Sequence, residues 1–176
     1  TSGALQATEN ATAVPADMEA SNVALSIRNH AGLLELIASK QGRVVVVDCW
    51  STWCPPCIKE FPNLVALDGK YDDHDVACIS VSLDYDGLGQ PEERREQVMA
   101  FLKKQGAAFD NVLAAEDDVT MYQKLGVSGV PAVFVYDRDG SVAATFGTDG
   151  ECTYDDVEAV VARLLAEHAS GSDDAS

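Results

Sequence analysis

Cys54 and Cys57 stand three positions apart in the octet WSTWCPPC, residues 50–57, directly after the run RVVVVDC. Two thiols at that spacing can close into a small ring or stand apart as a pair, which suits reversible two-electron exchange. The reactive form is the thiolate. A helix starting near Cys54 would aim its unpaired N–H groups and the positive end of its dipole at that sulfur. Cys57 lies on the same helical face one turn on. This geometry makes Cys54, at the exposed helix start, the thiol that attacks a partner disulfide. Cys57, shielded, resolves the mixed disulfide. Pro55 and Pro56 suit a first turn, where a missing N–H costs little. They also withhold two donors from Cys54, so its thiolate is expected to be stabilised only moderately, which favours a reductant over a strong oxidant. Trp50 and Trp53 offer an apolar surround that keeps water from Cys57 and a surface for an extended peptide; plain core packing is their other use.

A metal site is the competing use of two such cysteines. Zinc needs four ligands, usually as two spaced pairs. The sequence has no second CxxC, and His30, His74 and His168 are single and scattered. Copper held by Cys54, Cys57 and one histidine is the remaining metal alternative; no metal and no cofactor beyond a redox-active Cys54–Cys57 disulfide is expected. Of the five cysteines, Cys49 and Cys78 fall in apolar runs and read as small buried hydrophobes. Cys152 lies in the polar stretch TDGECTYDD, where acidic neighbours make a thiol less reactive.

The elements that must position the pair follow from pattern. NVALSIR (22–28) alternates as a strand, and Asn29 can cap a helix through HAGLLELIASKQG that carries Leu33, Leu36 and Ile37 on one face. RVVVVDCW is β-branched without alternation, as in a central strand buried on both faces. The helix from Cys54 places Ile58, Phe61 and Val65 on one side and should kink at Pro62. VACISVSLD (76–84) is a second central strand. Pro91 opens a helix with Val98, Phe101 and Leu102 as its stripe, NVLAA is a short strand, and DDVTMYQKLG a short helix. VPAVFVYDRDGSVAATFG is a hairpin around Asp139-Gly140, and a last helix carries Val157, Val160, Val161, Leu164 and Leu165. The order predicts one α/β domain with a mixed sheet over residues 22–169. A lead (1–21) and a tail (170–176) are expected to be disordered, and a helix-strand insertion covers about 84–118. The NAT sequon at Asn10 is read as chance.

With 176 residues, 47% of them hydrophobic, the chain can bury a sizeable core. Its net charge of -17 argues against nucleic acid and anionic membrane surfaces as partners. No stretch reaches the ~20 apolar residues of a membrane span. The chain begins at Thr1, so a leading piece is expected to have been removed.

VVVVDCWSTWCPPC resembles the active-site strand and helix start of the thioredoxin superfamily. CPPCIKEFPNL, the long segment 84–118 and LGVSGVPAVFVYDRDG together resemble the TlpA/ResA-like branch of thiol-disulfide oxidoreductases, over roughly residues 22–168. The resemblance implies a thioredoxin fold, Cys54 as nucleophile, Cys57 as resolving thiol, and a cis Val130-Pro131 peptide beside them that can pair with a client strand. It also implies an exported, periplasmic protein, tethered to the membrane before processing, with a cytoplasmic thioredoxin as the alternative. The chain departs from that branch in beginning with a strand and helix where a β-hairpin is common. It carries both Asp48, matching the buried acid of thioredoxins, and Glu60, matching an acid found after the second cysteine in some ResA-like proteins.

Cys57 must lose a proton to resolve a mixed disulfide, and apolar surroundings hold that proton tightly. A carboxylate with a raised pKa can take it. Asp48 is the first choice and Glu60 the second. The leading function is a reductase of protein disulfides acting as a monomer; the resemblance implies clients such as apocytochrome c or another exported protein, and an upstream thiol donor that recharges the pair. A peroxidase finds no Thr and Arg around a lone cysteine. A thioredoxin-like scaffold that binds a client or copper, with incidental redox chemistry, is the alternative from another class.

Overall fold

The computed structural model describes residues 22–71, 73–147 and 153–171. The expectations for the lead, Asn10, Cys152 and residues 172–176 lie outside them. In chain order the elements are β1 (Ser26–Arg28), α1 (His30–Ser39), β2 (Val44–Trp50), α2 (Pro55–Lys70), β3 (Val76–Ser82), a 3-10 turn (Pro91–Arg94), α3 (Arg95–Gln105), β4 (Asp110–Ala114), α4 (Asp118–Leu125), β5 (Ala132–Tyr136), β6 (Val142–Phe146) and α5 (Tyr154–Gly171). One six-stranded sheet runs β1-β4-β3-β2-β5-β6. β1, β4, β3 and β2 are parallel; β5 and β6 are antiparallel to their neighbours.

Every residue of β2 and β3 is buried, as an apolar run without alternation requires. The sheet has two apolar layers. Val44, Val46 and Trp50 face the layer that holds Cys57, Phe61, Leu64, Val98, Leu102 and Val157. Val45, Val47 and Cys49 face the other, with Leu33, Ile37 and Met121. Alternation along β2 therefore puts Asp48 on the side of the cysteine pair.

Local signals set the element ends. Asn29 Oδ1 accepts the Gly32 N–H at 2.9 Å and starts α1, and Asp117 caps α4 through the Thr120 N–H at 3.0 Å. Gly140, with φ +87°, closes the β5–β6 turn. α2 continues through Pro62, whose ring is exposed.

Two expectations change. β1 is shorter than the alternation over 22–28 suggests. Asn111 Nδ2 donates to the Ala24 carbonyl at 3.1 Å and Arg95 to the Leu25 carbonyl at 2.8 Å, so side chains replace the ladder there. The tail expected from 170 starts inside α5, which runs to Gly171. The helix and strand expected within about 84–118 are present, and the strand is built into the sheet. The stretch supplies α3 and then β4, which lies between β1 and β3 with four of its five residues buried. Trimming it to a turn would remove an interior strand.

Candidate active site

The site forms where β2 ends and α2 begins. Cys54 is the N-cap of α2, and its extended backbone turns the side chain over the first turn. Its Sγ accepts the Cys57 N–H at 3.3 Å. Pro55 and Pro56 fill the first two helical positions and donate nothing, as their chemistry dictates. Cys54 and Cys57 are bonded to each other, with Cα atoms 5.3 Å apart. Both residues are covered, at 5% and 3% exposure, which corrects the expected contrast between an exposed and a shielded thiol. In the bonded form the Cys54 sulfur turns inward toward Cys57 and its N–H, so covering does not distinguish the two; their places on the helix do.

Trp50 and Trp53 differ in burial. Trp50 is fully buried, with its ring centroid 5.0 Å from Phe61 and 4.7 Å from Phe101 of α3. Phe61 and Phe101 stack edge to face at 5.0 Å, and all three rings belong to the apolar layer that holds Cys54 and Cys57. Trp53 is 58% exposed beside Cys54 in sequence.

Asp48 is 4% exposed, and the Tyr154 hydroxyl donates to its Oδ2. Burial raises its pKa from 3.8 to about 6; the Tyr154 bond works against that rise and the charge of Glu60 adds to it. Glu60 itself is partly exposed and accepts from Asn63 Nδ2 at 2.9 Å. Burial, then the neighbouring Asp48 charge, pushes the Cys49 thiol far up, and burial does the same to Cys78. Both stay free, inert thiols, as their apolar runs suggest.

The Val130-Pro131 peptide is cis. Pro131 precedes Ala132, which pairs with Cys49, so it stands at the level of Trp50 on the edge from which the cysteine loop rises. Val130 packs against both apolar layers. Gly147, at φ +84°, brings its backbone so close to Pro131 that a Cβ would lie 2.1 Å from the Pro131 carbonyl oxygen.

Sequence reading missed two groups. Tyr154 is one; its signal was an aromatic residue opening the stripe of the last helix. Asp84, just past β3, is the other. It is 6% exposed and accepts from the Thr52 N–H at 3.0 Å, from the Thr52 hydroxyl, and from Ser82 Oγ at 2.6 Å. Gln97 of α3 donates to Thr52 Oγ1, and the Leu83 N–H donates to the Trp50 carbonyl at 2.8 Å. Thr52 and Trp53 are the centre of a turn closed by Cys54 N–H on the Ser51 carbonyl at 3.3 Å. Asp84 thus ties down the turn that presents Trp53 and Cys54. Asp84→Ala would strand several buried donors and is expected to cost about 2–4 kcal/mol in urea unfolding. A cost below about 0.5 kcal/mol, the size of a neutral surface change, would mean that water satisfies those donors equally well.

Among the described residues, no group of three or more His, Cys, Asp or Glu side chains is placed to hold a metal ion, and no helix is long and apolar enough to cross a membrane.

A mixed sheet whose central strand runs into a helix capped by one cysteine and carrying another a turn later, opposite a cis proline, is the thioredoxin fold. The chain belongs to the Redoxin family, whose sequence pattern matches residues 15–161. It is similar to the thiol:disulfide interchange protein HelX of Rhodobacter capsulatus, at 28% identity over 127 residues, 72% of this chain and 64% of that protein. It is also similar to the thiol-disulfide oxidoreductase ResA of Bacillus anthracis, at 27% identity over 124 residues, 70% of this chain and 65% of that one. The chain thus spans just under two thirds of these relatives' length. A crystal structure described as a thiol:disulfide interchange protein DsbE from Chlorobium tepidum superposes with a TM-score of 0.59 at 27% identity, covering 73% of this chain and 84% of that one.

Proposed function

We propose that this protein is a thiol-disulfide oxidoreductase that reduces protein disulfides through Cys54 and Cys57. The observation that carries the reading is the bonded pair at the N-terminus of α2, with one sulfur at the cap and the other a turn inside. The names of the similar proteins support the same class. In the reduced state the Cys54 thiolate attacks a client disulfide; a Cys54–client bond forms, the client S–S bond breaks, and the released client sulfur takes up a proton. Cys57 then gives its proton to Asp48 and attacks Cys54 Sγ. The Cys54–Cys57 bond forms and the second client sulfur leaves as a thiolate. The client gains two electrons, the pair loses two, and an external dithiol restores it. Trp53, Val130 and Pro131 frame the groove for an extended client strand, while Trp50, Pro55 and Pro56 hold the pair. Asp48 is the acceptor because it is buried on the side of the cysteines; Glu60, partly exposed, tunes it. The clients are exported proteins, the upstream partner is a thiol donor, and the working unit is a monomer.

The test is insulin reduction driven by dithiothreitol. The protein should bring on turbidity well ahead of dithiothreitol alone; no acceleration would end the proposal.

Asp48→Asn checks the acceptor. Resolution of the mixed disulfide should slow about a hundred-fold, and its formation much less. Stability should move the other way. At low pH the folded and unfolded chains both keep the Asp48 proton, so burial carries no penalty. As pH rises from 3.8 towards about 6 the unfolded chain ionises first, and the parent loses stability. Above about 6 the loss is complete, at about 3 kcal/mol. The uncharged Asn variant should therefore be the more stable protein at alkaline pH and match the parent at acid pH in urea unfolding.

A further inference from the structure

Tyr154 opens α5 and is buried in the layer that holds Cys54, Cys57 and Trp50. α5 packs on α2 and β2, the elements that carry Cys57 and Asp48, and on β5 and β6. Its hydroxyl reaches Asp48 across 106 positions of sequence. Asp48 lies opposite Ser80 on β3 and Val133 on β5, neither of them charged. The charged or titratable groups that act on it are Tyr154 from α5 and Glu60 from α2; Cys49 beside it and Cys78 on β3 feel its charge. A phenol donor fixes one carboxyl oxygen and favours the ionised form, which burial and Glu60 both disfavour.

We infer that Tyr154 is a positioning residue for dithiol exchange, whose hydroxyl holds Asp48 in the ionised, oriented state that accepts the Cys57 proton. The inference rests on the reading of Asp48 as acceptor. Tyr154 transfers no proton of its own. The Cys57 S–H bond breaks, the proton goes to Asp48, the Cys54–Cys57 bond forms, and the client sulfur departs.

The experiment uses Tyr154→Phe, which keeps the ring and removes the donor. The Asp48 carboxyl is titrated by carbon-13 NMR in the reduced protein. Resolution of a Cys54–glutathione mixed disulfide is followed by stopped flow from acid to alkaline pH. The carboxyl should titrate at higher pH in the variant, and the resolution profile should move with it in the same direction, while formation of the mixed disulfide stays as in the parent. Replacing tyrosine by 3-fluorotyrosine, a stronger donor on the same ring, should shift both the opposite way and gives a second reading if the Phe variant folds poorly. A carboxyl titration that does not respond to either change overturns the inference, whatever the kinetics. A carboxyl that moves without the resolution profile overturns it too, and Asp48→Asn in the same assay says where the error lies. If that variant resolves like the parent, Asp48 is not the acceptor; if it is slow, the acceptor stands and Tyr154 does not govern it.

Discussion

Cys54→Ser is expected to abolish dithiothreitol-driven insulin reduction, with a loss on the order of a thousand-fold or more. A serine hydroxyl does not ionise at neutral pH, and α2 offers the cap position only one N–H, that of Cys57, because Pro55 and Pro56 have none. Apart from Cys57, whose part is resolution, the other thiols on the described residues cannot substitute, since Cys49 and Cys78 are buried and held protonated. Cys57→Ser should behave differently. Cys54 can still attack, but nothing resolves the product, so covalent client adducts should accumulate and be visible by mass spectrometry of the intact protein. If Cys57→Ser loses the first step and Cys54→Ser forms the adducts, the two roles are reversed.

Among the described glycines, Gly147→Ala should do the most damage. The added Cβ would meet the Pro131 carbonyl oxygen at 2.1 Å and its carbonyl carbon at 3.0 Å, both backbone atoms that no rotamer change can move aside. The φ of +84° adds the cost of a left-handed alanine. Together these are expected to lower stability by about 3–5 kcal/mol, a fall in Tm of roughly 10 °C. Gly140→Ala is the matched control, because its φ is +87° but nothing lies within 4 Å of the new atom. It should cost about 1 kcal/mol, from conformation alone. Equal costs at the two positions would show that the chain around Pro131 yields easily. If the Gly147 variant folds at reduced temperature, its insulin reduction should fall more than its far-ultraviolet dichroism does, since the displaced backbone lies at the level of Trp50, where the cysteine loop begins.

The parts of this fold that could be read in advance are those decided by neighbours in sequence. Four valines in a row call for a strand covered on both faces, Asn29 announces its helix, and two prolines inside a CxxC announce a helix start with few free donors. What stayed hidden was decided by partners far away. Asp48 could be picked out as an acid interrupting an apolar strand, yet the residue that holds it arrives 106 positions later. Asp84 looked like the end of a strand; its use depends on Thr52, 32 positions back, and on α3 lying beside the loop. Gly147 showed no pattern at all, because the need for it arises only when β6 brings it against Pro131. The register by which 110–114 enters between β1 and β3 likewise has no local mark, since a short apolar strand reads the same at an edge or inside.

That interior place of β4 has a consequence for how the chain is made. Arg28 pairs with Ala114, so β1 has no ladder to join until that residue has been synthesised. At ordinary rates of translation the wait lasts roughly 4–17 s. Throughout it Val23 and Leu25, buried in the finished protein, stand in water beside an unpaired strand. They form a short apolar segment of the sort that a holdase or a second nascent chain can seize. The rim of the sheet is thus completed late, by a strand made well before its partner, and the growing protein is most vulnerable at β1 rather than at its active site.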